Sequence, residues 1–151
     1  MSTAAGPVYG QQYIRFAETA QVDGALAIDQ FRVVQRTGTT DPTSITNVFS
    51  GTGPIEALGV IQQKKNLESS DLGTDLYRLA TVATSGLLLV AQASAGALSI
   101  GDALSVNAAG EASDNGVANT DHWVINVNGT TPIVRQVVEI GGESMALVSF
   151  N

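Results

Sequence analysis

Apolar residues in this chain come in runs of only a few, punctuated by Gly, Asn and Asp. That punctuation leaves little room for a helix, whose apolar positions must recur at a 3.6-residue period over roughly ten or more residues. The one stretch with helical character, residues 54–67, breaks at Gly59. Within it, Ala57-Leu58-Gly59-Val60-Ile61 reads better as a short buried strand. Residues 67–75 are polar, are interrupted by Gly73, and read as a loop.

Strand patterns fill most of the remainder. Tyr13-Ile14-Arg15-Phe16-Ala17 places Ile14 and Phe16 on one side and Arg15 on the other. Further strands are predicted over residues 30–35, 57–61, 76–82, 86–92, 103–107, 122–127, 133–140 and 144–150. Asn128-Gly129 and Gly141-Gly142 sit between pairs of these runs as hairpin turns, because such residues tolerate positive φ. Residues 107–110 and 114–116 mark two further turns. About eight to nine short strands with this spacing predict one all-β domain, a small β-barrel or β-sandwich. The domain is expected over residues 13–151. Residues 1–12, with Gly6-Pro7 and little apolar content, read as an extended N-terminal arm, flexible or ordered only against a partner.

The two halves resemble each other. Residues 24–34 lie over residues 96–106, Gly24-Ala25-Leu26 on Gly96-Ala97-Leu98, and each segment leads through a polar loop to a returning apolar strand. A repeated strand–loop–return unit is the physical reading.

Composition narrows the function. A chain of 151 residues buries a core without a covalent staple, and there is no cysteine to make one. Net charge is −7 with only seven Lys and Arg, and Lys64-Lys65 is the only adjacent basic pair. Nucleic-acid binding, which neutralises phosphates with clustered cations, is not expected. Neither is membrane binding, since the surface is acidic and the apolar runs are too short to span. Residues 1–10 lack the basic and apolar regions of a signal peptide, so synthesis in a cytoplasm is expected. Charged residues make up 14% of the chain, against about 25% in ordinary domains. A surface so poor in charge is weakly guarded against packing on other subunits.

Residues that could carry chemistry are few. The single histidine, His122, stands between Asp121 and Trp123 with no nucleophile in its sequence context, and one His without Cys cannot build the usual zinc site. Gly51-Thr52-Gly53-Pro54 lacks the Lys and helix start of a phosphate loop. Asp71 and Asp75 read as solvated loop residues. No catalytic residue, cofactor or metal is expected, and the chain does not read as an enzyme. Protein contact is the remaining use for its aromatic residues. Tyr9 and Tyr13, at the junction of arm and first strand, are candidate interface residues, with Arg15 beside them. Trp123 suits either the core or an interface, the core being favoured by the apolar run that follows it.

The second half, taken in order, resembles a known family. Val82-Ala83-Thr84-Ser85-Gly86 leads into Leu87-Leu88-Leu89-Val90. Then follow Ala95-Gly96-Ala97-Leu98-Ser99-Ile100-Gly101-Asp102-Ala103-Leu104 and Asn107-Ala108-Ala109-Gly110-Glu111-Ala112. Ala146-Leu147-Val148-Ser149-Phe150 closes the series. In the first half, Ile55-Glu56-Ala57-Leu58-Gly59-Val60-Ile61-Gln62 fits the same pattern. This order is similar to the small bacteriophage capsid cement, or head decoration, proteins, and it covers residues 14–150. The return strand Ile133-Val134-Arg135-Gln136-Val137 and the long segment 114–132 depart from the pattern.

The resemblance implies a virion protein on the outer capsid surface, made in the host bacterial cytoplasm, with the major capsid protein as partner. It also implies self-association as a homo-oligomer, such as a trimer. The alternative is a tail- or fibre-associated β-domain that binds a host-surface glycan or another virion protein.

Overall fold

The structure, a computed structural model, describes residues 12–22, 28–37, 44–51, 54–62, 79–93, 98–113, 122–140 and 142–151. Among them the secondary structure is all β. The strands are β1 (Tyr13–Val22), β2 (Val33–Arg36), β3 (Ser44–Thr46), β4 (Ile55–Glu56), β5 (Gly59–Ile61), β6 (Leu79–Ala91), β7 (Ser105–Val106), β8 (Ala112–Ser113), β9 (Trp123–Asn126), β10 (Ile133–Ile140) and β11 (Glu143–Phe150). They form a seven-stranded sheet, β1-β3-β2-β5-β6-β11-β10, in which β1 also pairs directly with β6, and a four-stranded sheet, β4-β9-β7-β8. The domain is therefore two-sheeted and sandwich-like rather than one closed barrel.

Strand β6 is the spine. Val82 pairs with both Glu18 and Ile61, and Gly86 with both Ile14 and Phe150. β1 thus takes one edge of β6, while β5 and then β11 share the other. The sequence predicted two strands here, separated around residues 83–85. The structure corrects this to one continuous strand through Gly86. The glycine does not end the ladder; it admits a neighbour. Its φ is +128°, and a β-carbon there would collide with the carbonyl oxygen of Tyr13. Two register shifts in β1, between Ile14 and Phe16 and between Phe16 and Ala17, accommodate that approach.

The adjacent apolar pairs have a simple cause: several strands are buried on both faces. Val33 and Val34 are adjacent and wholly buried, yet they belong to different clusters, and so do Val60 and Ile61, and Ala83 and Val82. Successive side chains in a strand point to opposite faces. One face of β2, β5 and β6 therefore feeds a small core of Ala20, Val22, Ile28, Ile45, Leu58 and neighbours, within the circuit of pairings β1–β3–β2–β5–β6. The other face feeds a larger core with Leu104, Val106, Ile125, Val148 and Phe150. Each aliphatic side chain buried in this way contributes about 1.5–3 kcal/mol.

The predicted Asn128-Gly129 turn is present. Asn128 and Gly129 have φ of +53° and +76°, and Val127 and Thr130 exchange backbone hydrogen bonds of 2.9 and 3.0 Å across them. The ladder goes no further. β9 stays in the four-stranded sheet and β10 crosses to the seven-stranded one, so this turn is a corner between sheets. At the second predicted turn Gly142 has φ of +84° and Ile140 pairs with Glu143 at the end of the β10–β11 ladder, while Gly141 lies outside the described residues. The turn at residues 107–110 is organised by one side chain: the Asn107 Oδ1 accepts from the Ala109 and Glu111 amides, each at 3.0 Å. The predicted turn at 114–116 and the loop at 67–75 lie outside the described residues.

The internal repeat is real in the backbone, but its register is two residues from the sequence overlay. The Phe31 amide donates to Ile61 O at 2.9 Å and the Ile61 amide to Arg32 O at 3.0 Å. In the second half, the Gly101 amide donates to Val134 O at 2.8 Å and the Val134 amide to Asp102 O at 2.9 Å. Val33 then pairs with Val60 as Ala103 pairs with Ile133. Phe31 and Gly101, the corresponding residues, both have positive φ, +64° and +95°. The overlay read from sequence matches Ile28 to Ile100, but Ile28 is fully buried and Ile100 is 72% exposed. Its structural counterpart is Leu98, which is buried.

Candidate protein interface at the start of the first strand

The first half of β1 has an unusual environment. Residues 13–17 are all exposed, so neither face of the strand is covered there. Its inner edge is laddered to β6 from Tyr13↔Leu87 onward. Its other edge meets β3 only at Gln21 and Val22, so among the described residues no strand pairs with that edge over 13–20. Tyr13 is 65% exposed, Ile14 42% and Phe16 63%. Three large apolar side chains side by side on an open strand edge are the composition and geometry of a contact surface.

The segment is nevertheless held in place. The Gln12 side chain accepts from the Leu89 amide at 2.9 Å and donates to Gln62 Oε1 at 3.0 Å. It thereby continues the β1 side of the β6 edge one step beyond Tyr13. Further along the same strand, the Ala91 amide donates to Phe31 O at 2.9 Å. Thr84 Oγ1 donates to Phe16 O at 3.3 Å beside the register shifts. Gln12, assigned by sequence to the arm, is thus anchored to the domain. Tyr9 and the rest of the arm lie outside the described residues.

Of the residues singled out by sequence, Tyr13 and Arg15 meet in this patch. Arg15 is exposed and takes part in none of the ion pairs among the described residues. Trp123 is elsewhere. It is 8% exposed within the larger core, and its indole N–H donates to Gly51 O at 3.0 Å. Of the two places the sequence allowed Trp123, core or interface, it takes the favoured one: nearly all its surface is spent on the core. Ile14 and Phe16 belong to the patch, although regular alternation had set them together on one face. The two register shifts break that alternation. A strand with apolar residues at both parities was the available signal.

Next to the patch a cleft of ≈ 380 Å³ opens between β1, β2, β6 and the 128–129 turn. Its walls include Glu18 and Arg36, ion-paired at 3.1 Å, with Ala57 and Leu58 as apolar floor and Thr84 and Asn128 at the rim. This pair covers one end of the small core, to which Leu58 belongs. The lining has no nucleophile–base pair. His122, half-buried just before β9, is not among the cleft residues. No group of three or more potential metal ligands occurs among the described residues. No helix among them is long and apolar enough to cross a membrane.

No protein-family model matches the chain, and no curated protein matches it.

Proposed function

We propose that this chain is a structural virion protein that binds the outer surface of a phage head and stabilises contacts between major capsid subunits. The observation that carries the reading is the start of β1: Tyr13, Ile14, Arg15 and Phe16, all exposed, on a stretch that among the described residues is laddered on one edge only. A surface of this kind loses apolar area to water until a partner covers it. The low charge content of the chain leaves little repulsion against such docking. The order of Gly-, Ala- and Asp-punctuated strands that resembles the cement proteins supplies the identity of the partner.

The work done would be linkage. A protein that binds the assembled shell and not its separated subunits shifts the equilibrium toward the shell in proportion to its binding. Many copies together resist disassembly even where each contact is modest.

The test is a titration of the purified chain against expanded, DNA-free phage heads stripped of their own decoration. Saturable binding at micromolar concentration is expected, with a rise in the temperature at which the heads fall apart. Heads that stay bare at that concentration would remove the proposal. Saturable binding to host-surface glycans in place of heads would transfer the chain to the tail- or fibre-associated class.

A further inference from the structure

The internal repeat runs through the ladders of both halves. Ala83, the partner of Val60, corresponds to Ser149, the partner of Ile133. Val82 and Val148 correspond likewise, and so do their partners on the next strand, Glu18 and Leu88. Gln35 and Arg36 pair with Thr46 and Ile45 as Ser105 and Val106 pair with Ser113 and Ala112. The Leu58 amide donates to Val34 O at 2.8 Å as the Ile125 amide donates to Leu104 O at 3.2 Å, which matches Ala57 to Val124 and Glu56 to Trp123. Strand β6 thus closes a first unit with its amino half and opens a second with its carboxyl half.

The two units differ in how their surfaces are finished. Leu88, Val106 and Trp123 of the second unit are buried in the larger core. Their counterparts Glu18, Arg36 and Glu56 are the three charged residues that line the cleft. The first unit is therefore capped with charges at that end, as terminal repeats of stacked arrays are. The outer face is finished the opposite way. In the first unit Phe31, Val33, Ala57, Val60 and Ala83 lie on it, and all are buried in the larger core among side chains of the second unit. In the second unit the same places hold Gly101, Ala103, Val124, Ile133 and Ser149, all of them exposed or half-buried. Beside Gly101, Ile100 is 72% exposed on a turn that Asp102 closes, its amide donating to Ser99 O at 3.1 Å and its carboxylate accepting from the Ser99 amide at 2.8 Å.

We infer that this outer face of the second unit packs on the same face of a second copy of the chain, about a twofold axis. None of its side chains is charged, so two copies that each carry a net charge of −7 meet least repulsion there. Within one chain the equivalent face is covered by the end of the next unit. Between copies that arrangement fails, because the free end of every copy carries Glu18, Arg36 and Glu56, and an apolar face laid over them would strip three charges of water. The face meeting itself avoids that cost, and such an isologous contact closes at two copies. The inference rests on the internal repeat and does not depend on the head-binding reading.

Sedimentation equilibrium of the full chain tests this, with a concentration-dependent dimer as the expected result. Ile100→Asp alters an exposed side chain that contributes little to folding, and it sets a carboxylate on both sides of the contact. It should weaken the dimer about tenfold or more. Val124→Thr keeps the shape of the side chain and should weaken it about threefold. Val48→Asp, at a side chain 52% exposed outside the face, should leave it within about twofold of the wild type. Amide NMR spectra recorded on dilution supply the second readout: signals of residues 100–103, 124 and 133 should shift, and those of residues 13–16 should not. A wild-type chain that is monomeric at every concentration, a dimer as tight in I100D as in the wild type, or dilution shifts confined to the start of β1 would each overturn the inference.

Discussion

The carbonyl oxygen of Tyr13 occupies the space that a side chain on Gly86 would need. The start of the exposed strand is therefore seated on the one β6 residue with φ of +128°, a conformation essentially reserved for glycine. Gly86→Ala adds backbone strain and a steric clash together. It should destabilise the domain by about 2 kcal/mol or more, read as a lower denaturant midpoint. Amide exchange should accelerate at residues 13–16 well before it does in β11. Unchanged protection of that segment would refute the account of the seat.

The patch itself contributes little to folding, because its side chains stay in water. A Tyr13→Ser, Phe16→Ser double variant should change unfolding free energy by no more than about 1 kcal/mol. Head binding, if this is the contact surface, should weaken at least tenfold, to a degree set by how fully the rings are covered. A variant that unfolds readily, or one that binds heads as the wild type does, would separate the patch from the proposed role.

Phe31 is the bulky residue at the left-handed position where its counterpart in the other half is Gly101. Removing its ring opens a void in the larger core, and Phe31→Ala should cost about 3–5 kcal/mol. Because φ is +64°, Phe31→Gly should be no less stable than Phe31→Ala. That ordering reverses the usual penalty for glycine in strands. Gly101→Ala has open space around the added carbon and should cost only the conformational term, about 1–2 kcal/mol. Thermal or denaturant unfolding of the three variants checks all of this.

Trp123 is the only tryptophan, so fluorescence reports one site. Native emission should be blue-shifted and poorly quenched by iodide, moving to the red in one transition with unfolding. Trp123→Phe leaves the Gly51 carbonyl without its indole donor and should lose about 1–3 kcal/mol. A native spectrum like that of free tryptophan would contradict the buried position.

The legible parts of the fold were those fixed by local chemistry. The Asn128-Gly129 turn, the Asn107 turn, and the runs that became β10 and β11 followed from residue type and alternation. Non-local effects were hidden. β3 has a single apolar residue, Ile45, among Ser, Thr, Asp and Pro, and exists because Ile45 closes the small core. β8 is only Ala112-Ser113, set opposite β7 by the turn before it. The repeat was legible as a likeness of small residues, yet its register depends on backbone hydrogen bonds that join a Phe in one half to a Gly in the other. Residue similarity does not detect such a match. At the candidate interface, Tyr13 and Arg15 were readable as candidates, and both are exposed. The exposure of Ile14 and Phe16 follows from both faces of the strand being uncovered over residues 13–17, which depends on where the other elements pack.

The position of β6 between β1 and the β5–β11 edge also sets an order in time. Apart from its pairing with β3 at Gln21 and Val22, β1 finds no ladder until β6 has been made, and β6 lacks its remaining edge until Phe150 reaches Gly86. Pairings of such long sequence separation form slowly, because loop closure must precede the contacts that reward it. On a ribosome delivering the chain from its amino end, residues 13–20 of the first strand would wait for their ladder until β6 has emerged. The adjacent β10–β11 hairpin, closed by a short connection, is the natural nucleus onto which β6 and then β1 assemble.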